Sequence, residues 1–219
     1  MDERTTGLVF RTRPLTESSL IVHWLTADCG RISTVARGAR RPRSPFRGKL
    51  DLFYLADLTF RRSRRSELHT LCEVALRDPH AALRQNLGHL KQAVYCAALI
   101  AQTTETDTPL PQFFALMAGL LGELPRHPPR SSTIFAFEMK LLKALGQSPA
   151  PQSSRLSPGA TQVLAKLADR DWPDLWNLKL SSLQSREIQQ FLHGFLIYHL
   201  GKIPASRSAA LGSVADAAS

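Results

Sequence analysis

Short runs of apolar and β-branched residues, separated by turn-forming residues, follow one another over the first 78 positions. Runs of this length and composition are typical of β-strands. The predicted strands are Thr6–Arg13, Leu20–Thr26, Arg31–Arg37, Leu50–Phe60 and Leu68–Leu76. Five strands with such short connections predict a small antiparallel barrel of the OB-fold type. An SH3-like barrel would give nearly the same pattern, so the strand pattern leaves both barrels open.

From Pro79 onward the apolar residues recur at helical spacing instead. The main helical runs are Leu87–Ala101, Phe114–Leu124, Ile134–Leu145 and Ile188–Tyr198. Gly146 and Gly201 follow the third and the last of these runs, where glycine commonly ends a helix. Ser157 and Pro158 have the N-cap and first-turn pattern of a further helix, which we predict to end near residue 168.

These patterns together predict an α+β protein, with an N-terminal five-stranded OB-fold barrel followed by an all-α helical domain. We place the barrel at residues 1–78 and the helical domain at residues 79–204. Residues 205–219 lose both the periodicity and the large apolar side chains, which predicts a disordered tail. Gln147–Leu156 is rich in Ser, Pro and Gln and is predicted to be a loop.

Composition favours a soluble globular protein, since 43% of the 219 residues are hydrophobic and the mean hydropathy is −0.14. The start of the chain has no apolar segment of a secretory signal, and no run of about 18 apolar residues predicts a membrane span. Cys29, Cys72 and Cys96 lie far apart. We therefore expect buried thiols in a reducing cytoplasm, with neither disulfides nor a zinc site.

The charge of the chain says more about function than its hydrophobic composition does, because 28 Lys and Arg against 18 Asp and Glu give a net charge of +10. One cluster follows the third predicted strand, where the segment Gly30–Leu50 contains no acidic residue. Its basic residues are Arg31, Arg37, Arg40, Arg41, Arg43, Arg47 and Lys49. A second cluster lies between the last two predicted strands and contains Arg61, Arg62, Arg64 and Arg65. Loops after strands one and four flank the binding face of an OB-fold, so the second cluster falls in a ligand-facing loop.

Arginine clusters of this kind predict contact with nucleic acid, because a guanidinium holds a phosphate through two parallel hydrogen bonds. The plainer interpretation is that exposed arginines only keep the protein soluble. Aromatic side chains could add base stacking, and Phe46 within the basic segment is the candidate. We expect Trp24 and Phe60 to belong to the barrel core instead.

Motifs that carry catalysis are missing from the sequence. There is no phosphate-binding glycine loop, no nucleophile elbow and no metal-ligand spacing of His and Cys. The carboxylates of the strand region are single and dispersed, whereas a two-metal nuclease needs a convergent set. We therefore expect a binding protein with no catalytic residues, no metal and no other cofactor.

Several segments together resemble the RecO family of bacterial recombination mediators. They are Gly7–Arg13, Val35–Ser44 with the following Phe46 and Gly48, Phe137-Glu138 with Leu141-Leu142, and Tyr198–Gly201 with Ser206-Arg207-Ser208. The resemblance implies an OB-fold followed by helices and no enzymatic activity. It also implies binding of single- and double-stranded DNA and annealing of complementary strands. The implied partners are RecR and the acidic tail of single-strand DNA-binding protein, in recombinase loading on the bacterial nucleoid.

The chain departs from the family pattern at two places. Many relatives have a four-cysteine zinc module after the third helix, whereas Gln147–Leu156 contains no cysteine, so we expect no zinc module. Some relatives also have an arginine pair before the Phe-Glu of the third helix, where this chain has Phe135-Ala136. The residues that we expect to contact the acidic tail instead are Arg130, Lys140 and Lys143.

Two other functions remain open from the sequence. One is a different OB-type module that binds RNA or associates with the ribosome, because the same basic loops would suit structured RNA. The other is a nuclease, if folding brings distant carboxylates together.

Overall fold

The computed structural model describes residues 2–149 and 156–212, and it divides the chain into two compact units. The barrel unit contains the described residues up to Ala81 together with Thr104–Ala118. The helical unit contains Ala82–Thr103 and the described residues from Gly119 onward. The segment Thr104–Ala118, which we predicted within the helical domain, therefore clusters with the strands.

Five strands form a closed barrel in the order β1-β2-β3-β5-β4. The strands are β1 (Asp2–Pro14), β2 (Leu20–Thr26), β3 (Gly30–Ala36), β4 (Leu55–Arg61) and β5 (Leu68–Asp78). All neighbouring pairs are antiparallel except β3 and β5, which are parallel. In a simple meander every strand would pair with its sequence neighbours, but here β4 lies between β5 and β1. The topology therefore confirms the OB-fold and removes the SH3-like alternative.

Alternation of side chains explains why these segments form strands. In β3 the buried positions alternate with half-buried ones, and the buried side chains enter the barrel core. Trp24 is buried in the same core, and its indole Nε1 donates a hydrogen bond of 2.9 Å to Thr34 Oγ1. The one polar atom of this large side chain is thus satisfied inside an apolar barrel.

The predicted strand Leu50–Phe60 is wrong in its first half, because β4 begins only at Leu55. Phe53 has a φ of 63°, a left-handed conformation that a strand does not contain. Its backbone N–H donates to Val9 O at 2.7 Å, and the N–H of Tyr54 donates to Asp51 O at 3.0 Å. The apolar residues before β4 therefore form a turn against β1 and bury Phe53, rather than extend the strand.

The helices of the chain mostly follow the predicted pattern. They are α1 (Leu87–Thr103), α2 (Pro111–Glu123), α3 (Ser131–Ala144), α4 (Pro158–Asp169), α5 (Trp172–Leu175), α6 (Ser182–Leu200) and α7 (Arg207–Leu211). Ser157 caps α4 by accepting from the N–H of Ala160, and Ser181 with Gln184 forms a capping box at α6. A five-stranded barrel followed by helices is thus confirmed.

The predicted tail also needs correction, because α7 is an ordered helix rather than the start of a disordered segment. Arg207 is only 6% exposed and forms a two-bond ion pair with Glu138 of α3, at 2.7 and 2.9 Å. The side-chain amide of Gln92 in α1 also donates to the carbonyl of Ala210 at 3.3 Å. Residues 213–219 of the predicted tail, and residues 150–155 of the predicted loop, lie outside the described residues.

Candidate nucleic-acid interface

The basic loop, residues 37–49 between β3 and β4, is a chain of tight turns rather than an extended segment. Successive backbone hydrogen bonds join Arg41 N to Gly38 O, Ser44 N to Arg41 O, and Arg47 N to Ser44 O, all between 3.0 and 3.2 Å. Gly38 has a φ of 68°, which glycine adopts without steric cost. The loop thus has a defined, turn-rich backbone.

Phe46 anchors the basic loop in the barrel. Its side chain is only 7% exposed and belongs to the same core cluster as Trp24 and Phe60. Stacking on a nucleic-acid base needs an exposed ring face, which this burial does not favour, and stacking by Phe46 stays a prediction. Burial of the ring explains how the basic loop is held against the barrel.

We expect Phe46→Leu to lower the free energy of unfolding by about 1 kcal/mol, because leucine fills less of the core. Chemical unfolding followed by tryptophan fluorescence would measure this loss. Affinity for a short single-stranded oligonucleotide should change less than twofold. A clear loss of affinity at unchanged stability would mean that the ring leaves the core and stacks on bases.

Most arginines of the basic loop point into solvent. Arg37, Arg40, Arg41, Arg43 and Arg47 are exposed, and Lys49 is half-buried. None of the six forms an ion pair with a carboxylate in the part of the chain that the structure describes.

Arg40 also holds the basic loop to the turn between β1 and β2. Its backbone N–H donates to Ser18 O at 2.9 Å, and its guanidinium donates to Thr16 O at 3.3 Å. The loop therefore lies against the first of the two connections that flank an OB-fold binding face.

Arg31 is not part of this exposed set. It lies on β3, and its guanidinium donates to the side-chain and backbone oxygens of Thr104. Burial lowers the pKa of Arg31, as expected for a cation partly removed from water. The structure thus gives Arg31 a role in attaching the segment around Thr104 to the barrel.

The second predicted cluster divides into paired and unpaired arginines. Arg61 forms an ion pair with Asp2 at 2.8 Å, and Arg62 bonds to both oxygens of Glu3 at 2.7 and 3.0 Å and also to Asp107. These neighbouring carboxylates neutralise both cations.

Arg64 and Arg65 lie in the β4–β5 loop, residues 62–67, and are exposed. Neither has a carboxylate partner among the described residues. Of the second cluster, these two side chains are the ones that can receive a phosphate without losing an ion pair.

The basic loop and the β4–β5 loop lie at different positions along β3. The basic loop follows Ala36, the last residue of β3, while the β4–β5 loop leads into Leu68, which lies beside Ser33. Three residues along a strand span about 10 Å. The two predicted clusters are therefore separated by part of the outer face of the sheet.

Two cations on that face were missed by our sequence analysis. The pairing of β1 with β2 shifts between Val9 and Arg11, so Phe10 is an extra residue in the strand. Val9 points into the core, and without the bulge Arg11 and Arg13 would point the same way. Instead both are exposed on the outer face. Two arginines separated by one residue near a strand end were the signal that could have identified them.

The candidates for an acidic partner lie along α3 and already bind neighbouring groups. Arg130 donates to Trp176 O at 3.1 Å, Lys140 donates to Arg170 O at 2.5 Å, and Lys143 pairs with Asp169 at 2.7 Å. Arg130 precedes α3, whereas the two lysines lie in its second half. Ten residues of helix separate Arg130 from Lys140 by about 15 Å, so the three do not form one cluster.

A cleft of about 200 Å³ opens beside Lys143 in the helical unit. Met139, Leu164 and Phe191 contribute to its apolar lining, and Lys143 and Asp169 contribute its charged groups. The cleft thus combines an apolar lining with one cation and one carboxylate.

Within residues 2–149 and 156–212, no group of three or more His, Cys, Asp or Glu side chains could hold a metal ion. Over the same residues, no helix combines the length and apolar character needed to span a bilayer.

Comparisons with known proteins agree with the fold. Residues 1–80 match the family model "Recombination protein O N terminal", and residues 84–154 match "Recombination protein O C terminal". A protein named "DNA repair protein RecO" from Anaeromyxobacter dehalogenans (strain 2CP-C) is 29% identical over 93% of this chain and 94% of its own length. Proteins of the same name from Rhodopirellula baltica and Chromobacterium violaceum are each 34% identical. They cover 67% and 68% of this chain, and 54% and 59% of their own lengths.

Proposed function

The chain belongs to the RecO family of DNA repair proteins, and from this premise we propose that it is a non-catalytic mediator that binds DNA and anneals complementary single strands. The observation that carries the proposal is the basic loop, in which five exposed arginines have no carboxylate partner among the described residues. Exposed cations on a defined backbone bind phosphates and release condensed counterions. In this mechanism the protein screens the repulsion between two strands.

The aromatic residues support binding through phosphates rather than through bases. Between residues 2 and 81 all six aromatic rings are buried or half-buried, and the largest, Trp24, is a core residue. Single-strand binding proteins of the OB type use exposed rings as stacking platforms. A barrel whose rings are largely covered holds few bases by stacking, which leaves the base edges available for the pairing that annealing requires.

Partner binding is the second part of the proposal. The cleft beside Lys143 offers an apolar lining and a cation that could exchange Asp169 for a carboxylate of a bound peptide. This combination fits the acidic tail of single-strand DNA-binding protein. With RecR as a further partner, the protein would act in recombinase loading during gap repair, on nucleoid DNA. Arg130 and Lys140 are given no part in this contact, because both serve as helix-to-helix links.

Strand annealing of two complementary oligonucleotides tests the proposal. We expect the protein to accelerate annealing, and an unchanged rate would overturn the proposed activity. Competition with structured RNA addresses the RNA-binding alternative, which gains if RNA displaces DNA at equal nucleotide concentration. Incubation of labelled DNA with Mg²⁺ or Mn²⁺ addresses the nuclease alternative, which gains if cleavage follows the purified protein.

A further inference from the structure

The outer face of the barrel between the two basic loops carries cations of its own. Two rows of outward side chains cross the four neighbouring strands β1, β2, β3 and β5. The first row consists of Arg11, His23, Ser33 and Leu68. The second row consists of Arg13, Ile21, Val35 and Thr70. Each row therefore begins with one of the arginines that the bulge in β1 turns outward.

His23 lies among cations and has an incomplete set of hydrogen bonds. Its Nδ1 lies 2.8 Å from Ser33 Oγ of β3, while its Nε2 is buried without a partner among the described residues. The charged groups around it are Arg11 and Arg13 from β1 and Arg31 from β3. Burial first, and then the positive charges of these arginines, lower the pKa of His23. An anion at this place would relieve the repulsion among all four side chains.

We propose that Arg11, Arg13 and His23, which we call the strand-face site, bind phosphate groups of nucleic acid. The bound nucleic acid then runs across the outer face of the barrel from the basic loop to the β4–β5 loop. This inference rests on the proposed function, since it assigns a path to the bound strand. It adds residues that the sequence clusters did not contain. Their binding is independent of base identity, because the contacts are to phosphates.

The positions of the two rows support this path. The first row ends at Leu68, directly after the β4–β5 loop with Arg64 and Arg65. The second row lies next to the pair of Leu20 and Ala36, after which the basic loop begins. Four strands spaced about 4.8 Å apart span about 14 Å. Cations thus occur at both ends of the face and along its β1 edge, while the middle is neutral apart from His23.

Removing the two outward arginines tests the site. For Arg11→Ala/Arg13→Ala we expect about tenfold weaker binding of a single-stranded oligonucleotide at low salt. The slope of log affinity against log salt should fall in magnitude by about 1.4, because each phosphate contact on a single strand contributes about 0.7. An oligomer without bases should show the same loss. Arg170→Ala/Arg186→Ala, two exposed arginines of the helical unit, is the control with the same change in net charge.

Proton linkage gives the second measurement. Phosphate near His23 raises its lowered pKa, so binding takes up a proton and the affinity rises as the pH falls through the range below 6.5. Between pH 7 and pH 5 we expect the affinity of the unmodified protein to rise about threefold more, or further, than that of His23→Gln. Equal pH dependence of the two proteins would exclude His23 from the site.

The outcomes separate this inference from the proposed function. If Arg11→Ala/Arg13→Ala binds DNA normally while substitutions in the basic loop abolish binding, the strand path is wrong and the proposed function stands. If neither set of variants changes DNA binding, the assignment of binding to the basic loop fails as well. If the unmodified protein neither binds DNA nor accelerates annealing, the proposed function itself fails. Equal thermal unfolding midpoints of variant, control and unmodified protein would show that every comparison is made between folded molecules.

Discussion

Arg207→Met is expected to lower the free energy of unfolding of the helical unit by about 3 kcal/mol or more. The substitution leaves Glu138, which is 0% exposed, without the guanidinium that binds both of its oxygens. Breaking a buried ion pair on one side costs this much because an uncompensated charge remains in a low-dielectric interior. Urea unfolding followed by the fluorescence of Trp172 and Trp176, both in the helical unit, would measure the loss.

A compensated variant separates the buried charge from lost packing. Tyr95 also donates a hydrogen bond of 2.5 Å to Glu138, and burial together with that carboxylate raises the pKa of Tyr95, so its hydroxyl keeps the proton. Tyr95→Phe/Glu138→Leu/Arg207→Met replaces the whole polar group by apolar side chains. We expect it to recover most of the lost stability, because buried ion pairs are often replaceable by apolar groups. A stability loss below about 1 kcal/mol in Arg207→Met would contradict the buried-charge explanation.

This ion pair also shows why part of the fold was predictable and part was not. The two segments that hold Glu138 and Arg207 were both recognised as family-like in the sequence, but their contact was not foreseen. The residues are separated by 69 positions, and α7 is only five residues long and consists mainly of small side chains. Local periodicity therefore indicates no helix, since the contacts that hold α7 come from the distant residues Glu138 and Gln92.

Short sequence patterns predict a strand correctly where the residues of that segment alone determine its conformation. The predicted strand Leu20–Thr26 has the same bounds as β2, and the prediction for β3 differs by one residue at each end. Both are short apolar and β-branched runs between turn residues, and the buried positions of β3 also alternate regularly. The first half of the predicted fourth strand failed because a turn that buries Phe53 has the same composition as a strand. The positive φ of Phe53 depends on a hydrogen bond to Val9, more than 40 positions earlier. No window of sequence contains that information.

Contacts between distant segments also decide which basic side chains are available for binding. The sequence analysis placed Arg61 and Arg62 among exposed binding residues, but Asp2 and Glu3 of the neighbouring strand β1, together with Asp107, neutralise them. Conversely, the sequence does not decide whether Arg11 and Arg13 face the core or the solvent, because the β-bulge in β1 sets their direction. Which cations are available for a phosphate depends on pairing between distant segments. Composition therefore predicted a cationic surface without identifying all of its members.

Charge reversal at the basic loop has the largest expected effect on DNA binding. For Arg40→Glu/Arg41→Glu we expect the affinity for a single-stranded oligonucleotide to fall on the order of 100-fold at moderate salt, because two contacts are lost and two repulsive charges are added. The annealing rate should fall with it. Both side chains are exposed and neither has an ion pair with a described carboxylate, so the only partner lost within the barrel unit, among the described residues, is Thr16 O, which accepts from the Arg40 guanidinium.

The matched control is Arg170→Glu/Arg186→Glu, which changes the net charge by the same four units on the helical unit. If the whole field of the protein attracted DNA, both variants would lose affinity equally, and the assignment to the basic loop would be wrong. Local phosphate contacts predict that the control keeps most of its affinity. The backbone bond from Arg40 N to Ser18 O does not depend on the side chain, so the loop should stay in place against the β1–β2 turn. Normal annealing by Arg40→Glu/Arg41→Glu would remove both residues from the mechanism, whereas a selective loss would identify the basic loop as the surface on which complementary strands meet.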